Sequence, residues 1–535
     1  MKTVLFALNG SYSHTNLAVR AIGASLRKAG EDVVIIERNL KDTHLSVLDA
    51  LVSARADVYG FSAYIWNITE MLPFAAELKT LLPNAWIVFG GPEVSFADEG
   101  FFEAHPYVDV ILAGEGEDAF PALLSDLAEG KIKKHSIVMA MPYRNFTESG
   151  IYYDEIGDTP HGLVYYESVR GCPFSCAYCL SSRAEGIRAK TAEKALADLL
   201  LFEQFEDIRT VKLVDRTFNF NRERAKTIWR ALATDAYTKE YHFEVSAALL
   251  DEESFEILKT VPKGKFRLEI GVQSTNPETV RAIDRALDTE KTVRALERLH
   301  QGGNLHIHSD LIAGLPYEDY QRFGKSFDDI YGKGNVLQLG ILKLLRGSKM
   351  RADAAKYGIL YSPNPPYRVL QTDVLSFAEL MRLEAIDGMN DRFSNSGKFE
   401  YTFPYLPLAN GSAFDFFDGL YDFAAERFSC KEIARLPQTE AFRLVWEYAN
   451  FLCENGTVLD LTEIKQRLSL DFLLGETRRL PPFLQTETVG KSEKSEILAR
   501  VEPQRRAGCE VVRFPFLSEA YAVVDRVART IQIES

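Results

Sequence analysis

The chain has 535 residues, a length that predicts three or four domains with a large buried core. Its 62 basic and 76 acidic side chains leave a net charge of -14, so a nucleic acid backbone is not expected to be its main partner. Six cysteines are too few for a disulfide framework in a chain of this length. The opening apolar run is too short for a signal peptide, and no stretch approaches the ~20 apolar residues of a membrane span. We therefore expect a cytoplasmic protein with reduced thiols.

The first 135 residues alternate apolar runs with amphipathic segments, punctuated by Gly, Asn and Pro. Continuous apolar runs are typical of parallel strands that are buried on both faces. We therefore predict a flavodoxin-like, doubly wound (Rossmann-like) α/β domain over residues 1–135, with ligands bound at the carboxyl ends of its strands. The predicted strands are residues 3–8, 33–36, 58–62, 86–89 and 108–112, and the first predicted helix is residues 16–28.

A dinucleotide-binding domain is one alternative for this pattern. The loop after the first strand contains Gly10 but lacks the G-x-G-x-x-G that lets a backbone approach a pyrophosphate. Residues 114–119, Gly-Glu-Gly-Glu-Asp-Ala, fit G-x-G-x-x-A, yet they follow the last strand and place carboxylates where a phosphate would lie. A ligand-free α/β domain is a further alternative, because a fold does not by itself imply a function.

Strand and helix patterns resume after residues 136–160, which we interpret as a linker. Six strand-like runs alternate with helical patterns between residues 161 and 350, which predicts a partial, TIM-type (β/α)6 barrel. In such barrels the chemistry takes place at the carboxyl ends of the strands. The runs are residues 163–169, 211–215, 242–247, 266–272, 305–312 and 336–343.

Three of these runs carry polar residues at every second position, so each run has one mostly polar face. Helices cover the outside of a parallel sheet, which would direct the polar faces into the barrel lumen. A solvated antiparallel sheet would give the same alternation, but the strand-helix order favours the barrel. The positions that share a face are His242, Glu244 and Ser246; Arg267, Glu269, Gly271 and Gln273; and His306, His308 and Asp310.

Three cysteines, Cys172, Cys176 and Cys179, lie within eight residues directly after the first barrel run. A structural zinc site needs a fourth ligand, which no nearby cysteine or histidine supplies, and three inert buried thiols would not be expected to cluster beside a Gly-Cys-Pro turn. Convergent thiolates hold iron-sulfur clusters. Three ligands would leave one iron of a four-iron cluster open, and an open metal position can bind and activate a substrate.

The segment Cys-Pro-Phe-Ser-Cys-Ala-Tyr-Cys at 172–179 resembles the C-x-x-x-C-x-aromatic-C motif of the radical S-adenosylmethionine (SAM) enzymes. The resemblance implies that Cys172, Cys176 and Cys179 hold a 4Fe-4S cluster whose open iron binds SAM for reductive cleavage to a 5'-deoxyadenosyl radical. It also implies that Tyr178 lies beside the adenine and that Glu269 binds the ribose. The other candidate SAM-binding residues are Asp215, Ser246, Gln273 and Asp310. For the two aspartates, capping of a turn is the alternative role.

A doubly wound domain that ends in Gly-Glu-Gly-Glu ahead of a radical SAM domain resembles the cobalamin-binding domain of one radical SAM subclass. The resemblance implies a corrinoid across the strand ends. Many cobalamin proteins carry D-x-H-x-x-G after the first strand; here Tyr12 stands in place of that aspartate, so His14 is either an axial ligand of cobalt or a loop residue that forms local hydrogen bonds. The candidate cobalamin contacts are Ser11, Tyr12, His14, Ser62, Tyr64, Gly91, Glu93 and Glu115.

The pattern changes after the barrel, where a Pro-rich stretch precedes helical periodicity such as that of residues 377–389 and 440–452. We predict a mostly helical domain over residues 361–535. It resembles the uncharacterised C-terminal extension of some cobalamin-dependent radical SAM enzymes, and its role is not visible in the sequence.

Three functions are compatible with these motifs. The first is a cobalamin-dependent radical SAM methyltransferase that acts on an unactivated carbon, the second uses the same cofactors for cyclisation or rearrangement, and the third is an iron-sulfur redox protein. A tRNA methylthiotransferase is disfavoured because it would require a second cysteine set in the first domain, which has no cysteine. We expect a small-molecule or peptide substrate and an external electron donor such as flavodoxin or ferredoxin.

Overall fold

The computed structural model describes residues 1–153, 162–183, 186–285, 288–475, 480–485, 489–500, 509–513, 521–525 and 530–534. It begins with a six-stranded sheet that alternates with five helices. The strands are β1 (Thr3–Asn9), β2 (Val33–Asn39), β3 (Val58–Ser62), β4 (Trp86–Gly90), β5 (Val110–Ala113) and β6 (Ser136–Met139). The helices are α1 (Leu17–Lys28), α2 (His44–Ala54), α3 (Ile68–Leu81), α4 (Glu99–Ala104) and α5 (Gly116–Ala128).

This first sheet has the order β2-β1-β3-β4-β5-β6, and all its strands run parallel. Both of its faces are buried: in β1, Val4 and Phe6 pack into one hydrophobic core, while Leu5 and Ala7 pack into the core on the opposite side. A sheet covered by helices on both faces requires such continuous apolar strands. The predicted flavodoxin-like, doubly wound domain is thereby confirmed.

The sixth strand, β6, has no counterpart among the predicted strands. Its four residues are half-buried or exposed, and they pair with β5 alone at the edge of the sheet. An edge strand of four residues has little buried surface to mark it in a sequence, which explains why periodicity did not reveal it. It lies in the stretch that we interpreted as a linker.

A second six-stranded sheet has the order β14-β13-β12-β11-β10-β7, and a short two-stranded ladder, β8 and β9, stands beside it. The strands are β7 (Leu163–Tyr166), β8 (Val169–Arg170), β9 (Arg188–Ala189), β10 (Thr210–Leu213), β11 (Glu240–Glu244), β12 (Phe266–Gln273), β13 (His306–Ala313) and β14 (Val336–Ile341). The helices are α6 (Ala192–Phe202), α7 (Arg222–Leu232), α8 (Glu252–Lys259), α9 (Pro277–Ala282), α10 (Thr289–Gln301) and α11 (Tyr320–Ile330).

The predicted period-two pattern appears directly in the burial of β12 and β13. Along β12 the buried residues alternate with half-buried ones, so Phe266 and Leu268 pack outward while Arg267 and Glu269 share the other face. β13 alternates in the same way. In this sheet β7 pairs with β10, β10 with β11 and β11 with β12, all in parallel, which confirms the strand-helix alternation of a partial barrel with a polar inner face.

The rest of the chain is mostly helical, as predicted, and ends in a three-stranded antiparallel sheet that was not predicted. Its helices are α12 (Lys349–Ala352), α13 (Phe377–Phe393), α14 (Leu406–Ala409), α15 (Ala413–Ala425), α16 (Cys430–Ala434), α17 (Gln438–Glu454), α18 (Leu461–Gly475) and α19 (Lys491–Ala499). Its strands are β15 (Leu360–Tyr361), β16 (Val369–Gln371), β17 (Cys509–Arg513), β18 (Tyr521–Asp525) and β19 (Thr530–Glu534). Short 3-10 helices span Phe146–Glu148, Leu180–Arg183, Phe218–Phe220, Ala247–Leu249, Ala354–Tyr357 and Pro482–Leu484.

The chain divides into two compact units. The first comprises Met1–His308, Gly314–Tyr317 and Ile341–Ser376, and the second comprises Ser309–Ala313, Glu318–Gly340 and Phe377–Ser535. Of the candidate site residues, Asp310 alone falls in the second unit, and its proposed role remains a prediction. Among the described residues, no helix is both long enough and apolar enough to cross a membrane.

Candidate active site

The three clustered cysteines lie on the loop between β8 and β9, which we call the cysteine loop. The two strands form an antiparallel ladder in which Val169 pairs with Ala189 and Arg170 with Arg188, so the loop is closed at its base. Gly171 follows directly with a φ of +91°, and a Cβ there would lie 2.2 Å from the carbonyl oxygen of Gly186. Only glycine permits this crossing of the chain, which sets the position of the neighbouring Cys172.

None of the three cysteines forms a disulfide bond, and Cys176 is buried while Cys172 and Cys179 are half-buried. Burial raises the pKa of the Cys176 thiol, and the guanidinium of Arg285, with Nη1 3.7 Å from Sγ, opposes that shift. A cation beside a buried sulfur favours the thiolate, which is the form that binds metal. Cys172 Sγ lies 3.4 Å from Thr217 Oγ1.

No three His, Cys, Asp or Glu side chains in the described residues are close enough together to hold a single metal ion. This finding gives no support to a zinc site, whose ligands all meet at one ion. It is compatible with a four-iron cluster, because each cysteine then binds a different iron atom and the sulfurs stand further apart. Three cysteines outside any disulfide, on one closed loop, therefore suit the cluster that the sequence predicts.

Two backbone hydrogen bonds hold the cysteine loop against other parts of the first unit. Ala177 donates its amide to the carbonyl of Ile283 (2.9 Å) and accepts from the amide of Met350 (2.8 Å). Sequence reasoning missed Arg285, which donates to the hydroxyl of the predicted adenine contact Tyr178 (3.0 Å) and to the carbonyl of Gly271. The loop and the end of β12 are thus joined through one arginine.

Asp215, a predicted SAM contact, lies beneath the cysteine loop and is fully buried. Its carboxylate accepts the amides of Ser168 (2.7 Å) and Val169 (2.9 Å) and the Ser168 hydroxyl. Burial raises the pKa of this carboxyl, and the hydrogen bonds from Ser168 oppose the shift. In the structure its oxygens therefore hold Ser168 and Val169 at the start of the loop base, and its role towards SAM stays a prediction.

Charged side chains pair across the inner face of the barrel. Lys212, His242 and Arg267 are register partners on adjacent strands, and Glu244 is the partner of Glu269. Glu269 Oε2 lies 3.2 Å from Lys212 Nζ and 3.0 Å from His242 Nε2. His242 and Lys212 outweigh burial and lower the pKa of Glu269 to about 2. The predicted ribose contact is therefore ionised at neutral pH.

Two further candidate residues present unsatisfied polar atoms near the carboxyl ends of their strands. Ser246 Oγ and Gln273 Oε1 are buried, and neither has a hydrogen-bond partner in the described part of the chain. Gln273, the last residue of β12, has a φ of +75°, which is uncommon for a residue with a Cβ. Buried polar groups rarely go unpaired. These two atoms fit a polar ligand such as SAM.

The candidate cobalamin contacts lie on four loops at the carboxyl ends of β1, β3, β4 and β5. Gly91 and Gly114 have φ values of +108° and +110°, and a Cβ on them would lie 2.4 Å from the Ala63 carbonyl oxygen and 2.9 Å from that of Ala140. The backbone is therefore packed tightly at this edge of the sheet, where a doubly wound domain binds its ligand. Beside it, the rings of Tyr64 and Trp66 stack with centroids 4.3 Å apart.

The side chains of the loop after β1 contact different partners. Tyr12 is exposed and donates its hydroxyl to Asp42 (3.0 Å), while Ser11 and Ser13 share a hydrogen bond. His14 packs edge-on against the Tyr165 ring of β7, with centroids 5.9 Å apart. Burial, and secondarily the charge of Lys212, lower the pKa of His14. Ser62 donates to the side chain of Asn16 (3.5 Å).

The two candidate glutamates, Glu93 and Glu115, are held by arginines from later in the chain. Glu93 is buried, accepts the Tyr367 hydroxyl, and lies 3.3 Å from Arg346 Nε. Burial raises its pKa, against the opposing effect of Tyr367 and Arg346. Glu115 binds Arg170 (2.7 Å) and Arg188 of the loop base. Burial would raise the pKa of Glu115, but Arg188 and Arg170 more than offset this and lower it.

Three family models match the chain. The B12 binding domain matches residues 4–124, the Radical SAM superfamily matches residues 166–330, and a protein family of unknown function, DUF4080, matches residues 355–512. The first two matches confirm the predicted cofactors, cobalamin in the first domain and SAM with its 4Fe-4S cluster in the second.

The chain is similar to several named enzymes. It is 28% identical over 325 residues to the cobalamin-dependent radical SAM methyltransferase TokK of Streptomyces tokunonensis, covering 54% of this chain and 47% of that protein. It is 29% identical over 322 residues to 2-(S-pantetheinyl)-carbapenam-3-carboxylate methyltransferase of Streptantibioticus cattleyicolor, with coverage of 54% and 47%. The chain thus spans about half the length of the curated relatives it matches.

The fold is shared with a solved structure. The cobalamin-dependent SAM radical enzyme OxsB with aqua-cobalamin bound superposes with a TM-score of 0.61 at 15% identity, covering 88% of this chain and 79% of that one. The domain order read from the motifs agrees with the three family matches. The chain therefore contains a B12-binding domain, a radical SAM domain after it, and a DUF4080 region after that.

Proposed function

We propose that this enzyme is a cobalamin-dependent radical SAM methyltransferase that acts on an unactivated carbon of a small-molecule or peptide substrate. The cluster supplies the electron that cleaves SAM, and cobalamin carries the methyl group. The observation that carries the proposal is that the B12-binding domain is joined, through Glu115, to the base of the loop that bears Cys172, Cys176 and Cys179. The similarity to TokK and to the carbapenam methyltransferase supports methyl transfer as the net reaction.

The residues of the first unit have separate tasks in this proposal. The cysteine thiolates bind the cluster, and the backbone bonds of Ala177 keep their loop in place. Glu269, kept ionised by Lys212 and His242, accepts hydrogen bonds from the ribose hydroxyls of SAM. Ser246 and Gln273 gain the partners that they lack without a ligand.

The polar inner face of the barrel indicates which kind of substrate it can accept. Its charges compensate one another, since Glu240 pairs with Arg267 (2.9 Å) and Glu269 with Lys212. A face whose charges are already paired does not demand a charged substrate. An external donor such as flavodoxin or ferredoxin, which we expect in a reducing cytoplasm, would supply the electron.

The experiment that tests the proposal is anaerobic reconstitution with iron, sulfide and hydroxocobalamin, followed by gel filtration and absorbance spectra. Reaction with dithionite and SAM is then analysed for two products. 5'-Deoxyadenosine marks reductive cleavage, and S-adenosylhomocysteine is what SAM becomes when it gives up its methyl group. We expect the wild type to retain about four irons and one corrinoid per chain and to form both products.

Substitution of single cysteines provides the matched comparison. Cys172→Ala, Cys176→Ala and Cys179→Ala should each lose the cluster absorbance and 5'-deoxyadenosine formation, while Cys430→Ala, which removes an exposed thiol of α16, should behave as the wild type. Retained corrinoid with 5'-deoxyadenosine but without S-adenosylhomocysteine would favour cyclisation or rearrangement instead. A cluster that survives removal of Cys176 would refute the assignment of its ligands.

A further inference from the structure

The base of the cysteine loop carries two arginines that face each other. Arg170 and Arg188 are register partners in the ladder of β8 and β9, and Cys172 follows Arg170 by two residues. Both guanidinium groups lie over the ring of Phe146, at 4.6 and 5.8 Å from its centroid. Whatever holds these two arginines therefore holds both ends of the loop that bears the cluster ligands.

A single carboxylate binds both arginines. Glu115 Oε2 accepts from Arg170 Nη1 (2.7 Å) and Arg188 Nη1 (3.1 Å), and Oε1 accepts from Arg188 Nη2. The amide of Tyr143 also donates to Oε2 (2.8 Å). Glu115 stands at the start of α5, in the last loop of the B12-binding domain, so one side chain joins that domain to both strands of the loop base.

The contact is a partly buried network and not a surface ion pair. Arg170 also binds Glu117 (2.5 Å) of the first turn of α5 and Glu167 (2.9 Å), and its side chain is only 14% exposed. Breaking a buried charge pair by removing one partner is costly because the other charge stays desolvated. Three carboxylates around two guanidinium groups also leave no vacant cation at this point for a corrinoid phosphate.

We propose that Glu115 is a positioning residue that fixes the base of the cysteine loop to the B12-binding domain and so sets the distance between the cluster and the corrinoid. The inference deepens the proposed function and rests on it for the presence of both cofactors. It assigns to Glu115 a role other than the direct corrinoid contact that its place in Gly-Glu-Gly-Glu implied. A methyl group and a radical must meet on one substrate, so a fixed separation between the two cofactor sites matters for catalysis.

The first measurement needs no cofactor. Hydrogen-deuterium exchange of the apo chain is compared among wild type, Glu115→Gln, Arg188→Lys and a control, Glu129→Gln. Glu129 lies at the other end of α5 in an exposed ion pair with Lys131, so its substitution changes the same charge away from the ladder. In Glu115→Gln and Arg188→Lys we expect the amides of β8 and β9 to exchange roughly tenfold faster, or more, than in the wild type. Exchange at the wild-type rate in both would overturn the proposal.

The second measurement is spectroscopic. Pulsed electron paramagnetic resonance of the reduced holoenzyme reports the dipolar coupling between the cluster and cob(II)alamin, which scales with the inverse cube of their separation. We expect Glu115→Gln to retain wild-type iron and corrinoid contents but to show a shifted or broadened coupling, and Glu129→Gln to match the wild type. A rise in 5'-deoxyadenosine relative to methylated product should accompany the shift.

The outcomes separate this inference from the proposed function. If the wild type binds no corrinoid, the proposed function fails and the exchange experiment alone decides the role of Glu115. If Glu115→Gln loses corrinoid while β8 and β9 exchange normally, Glu115 is a corrinoid contact and the positioning role is refuted. An unchanged dipolar coupling in a fully loaded Glu115→Gln enzyme refutes it as well. Arg188→Lys, which keeps the charge but loses the two-pronged contact, covers the case in which Glu115→Gln does not fold.

Discussion

Replacing Gly91 by alanine should damage the cobalamin site through the backbone alone. Gly91 follows β4 with a φ of +108°, a conformation that costs a residue with a Cβ about 1–3 kcal/mol. The added Cβ would lie 2.4 Å from the carbonyl oxygen of Ala63 and 3.1 Å from its nitrogen, so the loops after β3 and β4 must separate by about 1 Å to reach ordinary contact. That separation strains two bonds, Ala63 N to Gly90 O (2.8 Å) and Glu93 N to Ala63 O (3.4 Å), worth about 1 kcal/mol each.

The sum is about 3–5 kcal/mol. It should lower the melting temperature of the B12-binding domain by roughly 6–20 °C, at about 2–4 °C per kcal/mol. Two controls separate the causes. Gly10→Ala meets no atom within 4 Å and should be neutral, while Gly130→Ala has the same free space but a φ of +69°, so it should show the cost of the backbone conformation alone, about 1–2 kcal/mol.

The assay is thermal unfolding of the three variants followed by gel filtration after reconstitution with hydroxocobalamin. The expected order of melting temperatures is Gly10→Ala, equal to the wild type, then Gly130→Ala, then Gly91→Ala, and only Gly91→Ala should lose retained corrinoid. If Gly91→Ala melted with Gly10→Ala and kept its corrinoid, the close approach at this edge would not shape the site. Loss of corrinoid in Gly130→Ala would point to domain stability as the cause.

Two further predictions test charges in the two units. Glu269→Gln keeps the size of the side chain but leaves Lys212 and His242 without their anion. SAM binding to the anaerobically reconstituted enzyme, measured by equilibrium dialysis, should weaken about 10- to 100-fold, as expected for the loss of a charged hydrogen bond worth roughly 1.5–3 kcal/mol. Unchanged affinity for SAM would contradict the ribose role of Glu269. In the second unit, burial raises the pKa of Asp387 to about 7, so between about pH 4 and 7 the folded chain keeps a proton that the unfolded chain releases. The contribution of the protonated carboxyl to the free energy of unfolding is complete below about pH 4 and is lost as the pH rises towards 7. Asp387→Asn still accepts the amide of Leu339, so its advantage in melting temperature over the wild type should widen by several degrees between pH 5 and pH 8, and a constant difference would refute the shift.

The predicted fold follows from patterns that a local sequence carries. Strands such as β1 are buried on both faces and read as continuous apolar runs, while β12 has one face towards the lumen and alternates from Phe266 to Gln273. The cysteine spacing is equally local, because Cys172, Cys176 and Cys179 share one loop. These features could be predicted because each depends on residues that are neighbours in the sequence.

The contacts that sequence reasoning did not reveal depend on partners far along the chain. A carboxylate at a strand end looks the same whether it meets a ligand or an arginine, and Glu115 meets Arg188 across 73 positions. Asp215 is 47 positions from Ser168, which occupies its oxygens. Arg285 follows Gly271 by 14 positions and carries no pattern that ties it to Cys176. One feature of the sequence did indicate such a contact: the basic residues Arg170 and Arg188 flank the cysteine loop, which predicts an acidic side chain as their partner.

Side chains of the DUF4080 region complete the hydrogen bonding of the last strand of the second sheet. β14 lies at the end of that sheet, so the outer edge of its backbone needs partners. They come from helix α13 and the residues after it: Asn395 accepts the amide of Leu337 (3.1 Å), Asp387 accepts that of Leu339 (3.2 Å), and Asn390 donates to the Leu337 carbonyl (2.6 Å). Side-chain amides and a carboxyl thus replace a seventh strand. A region that completes the hydrogen bonding of a barrel strand cannot be removed or moved without disturbing that strand, so its sequence is constrained by the barrel as well as by any substrate.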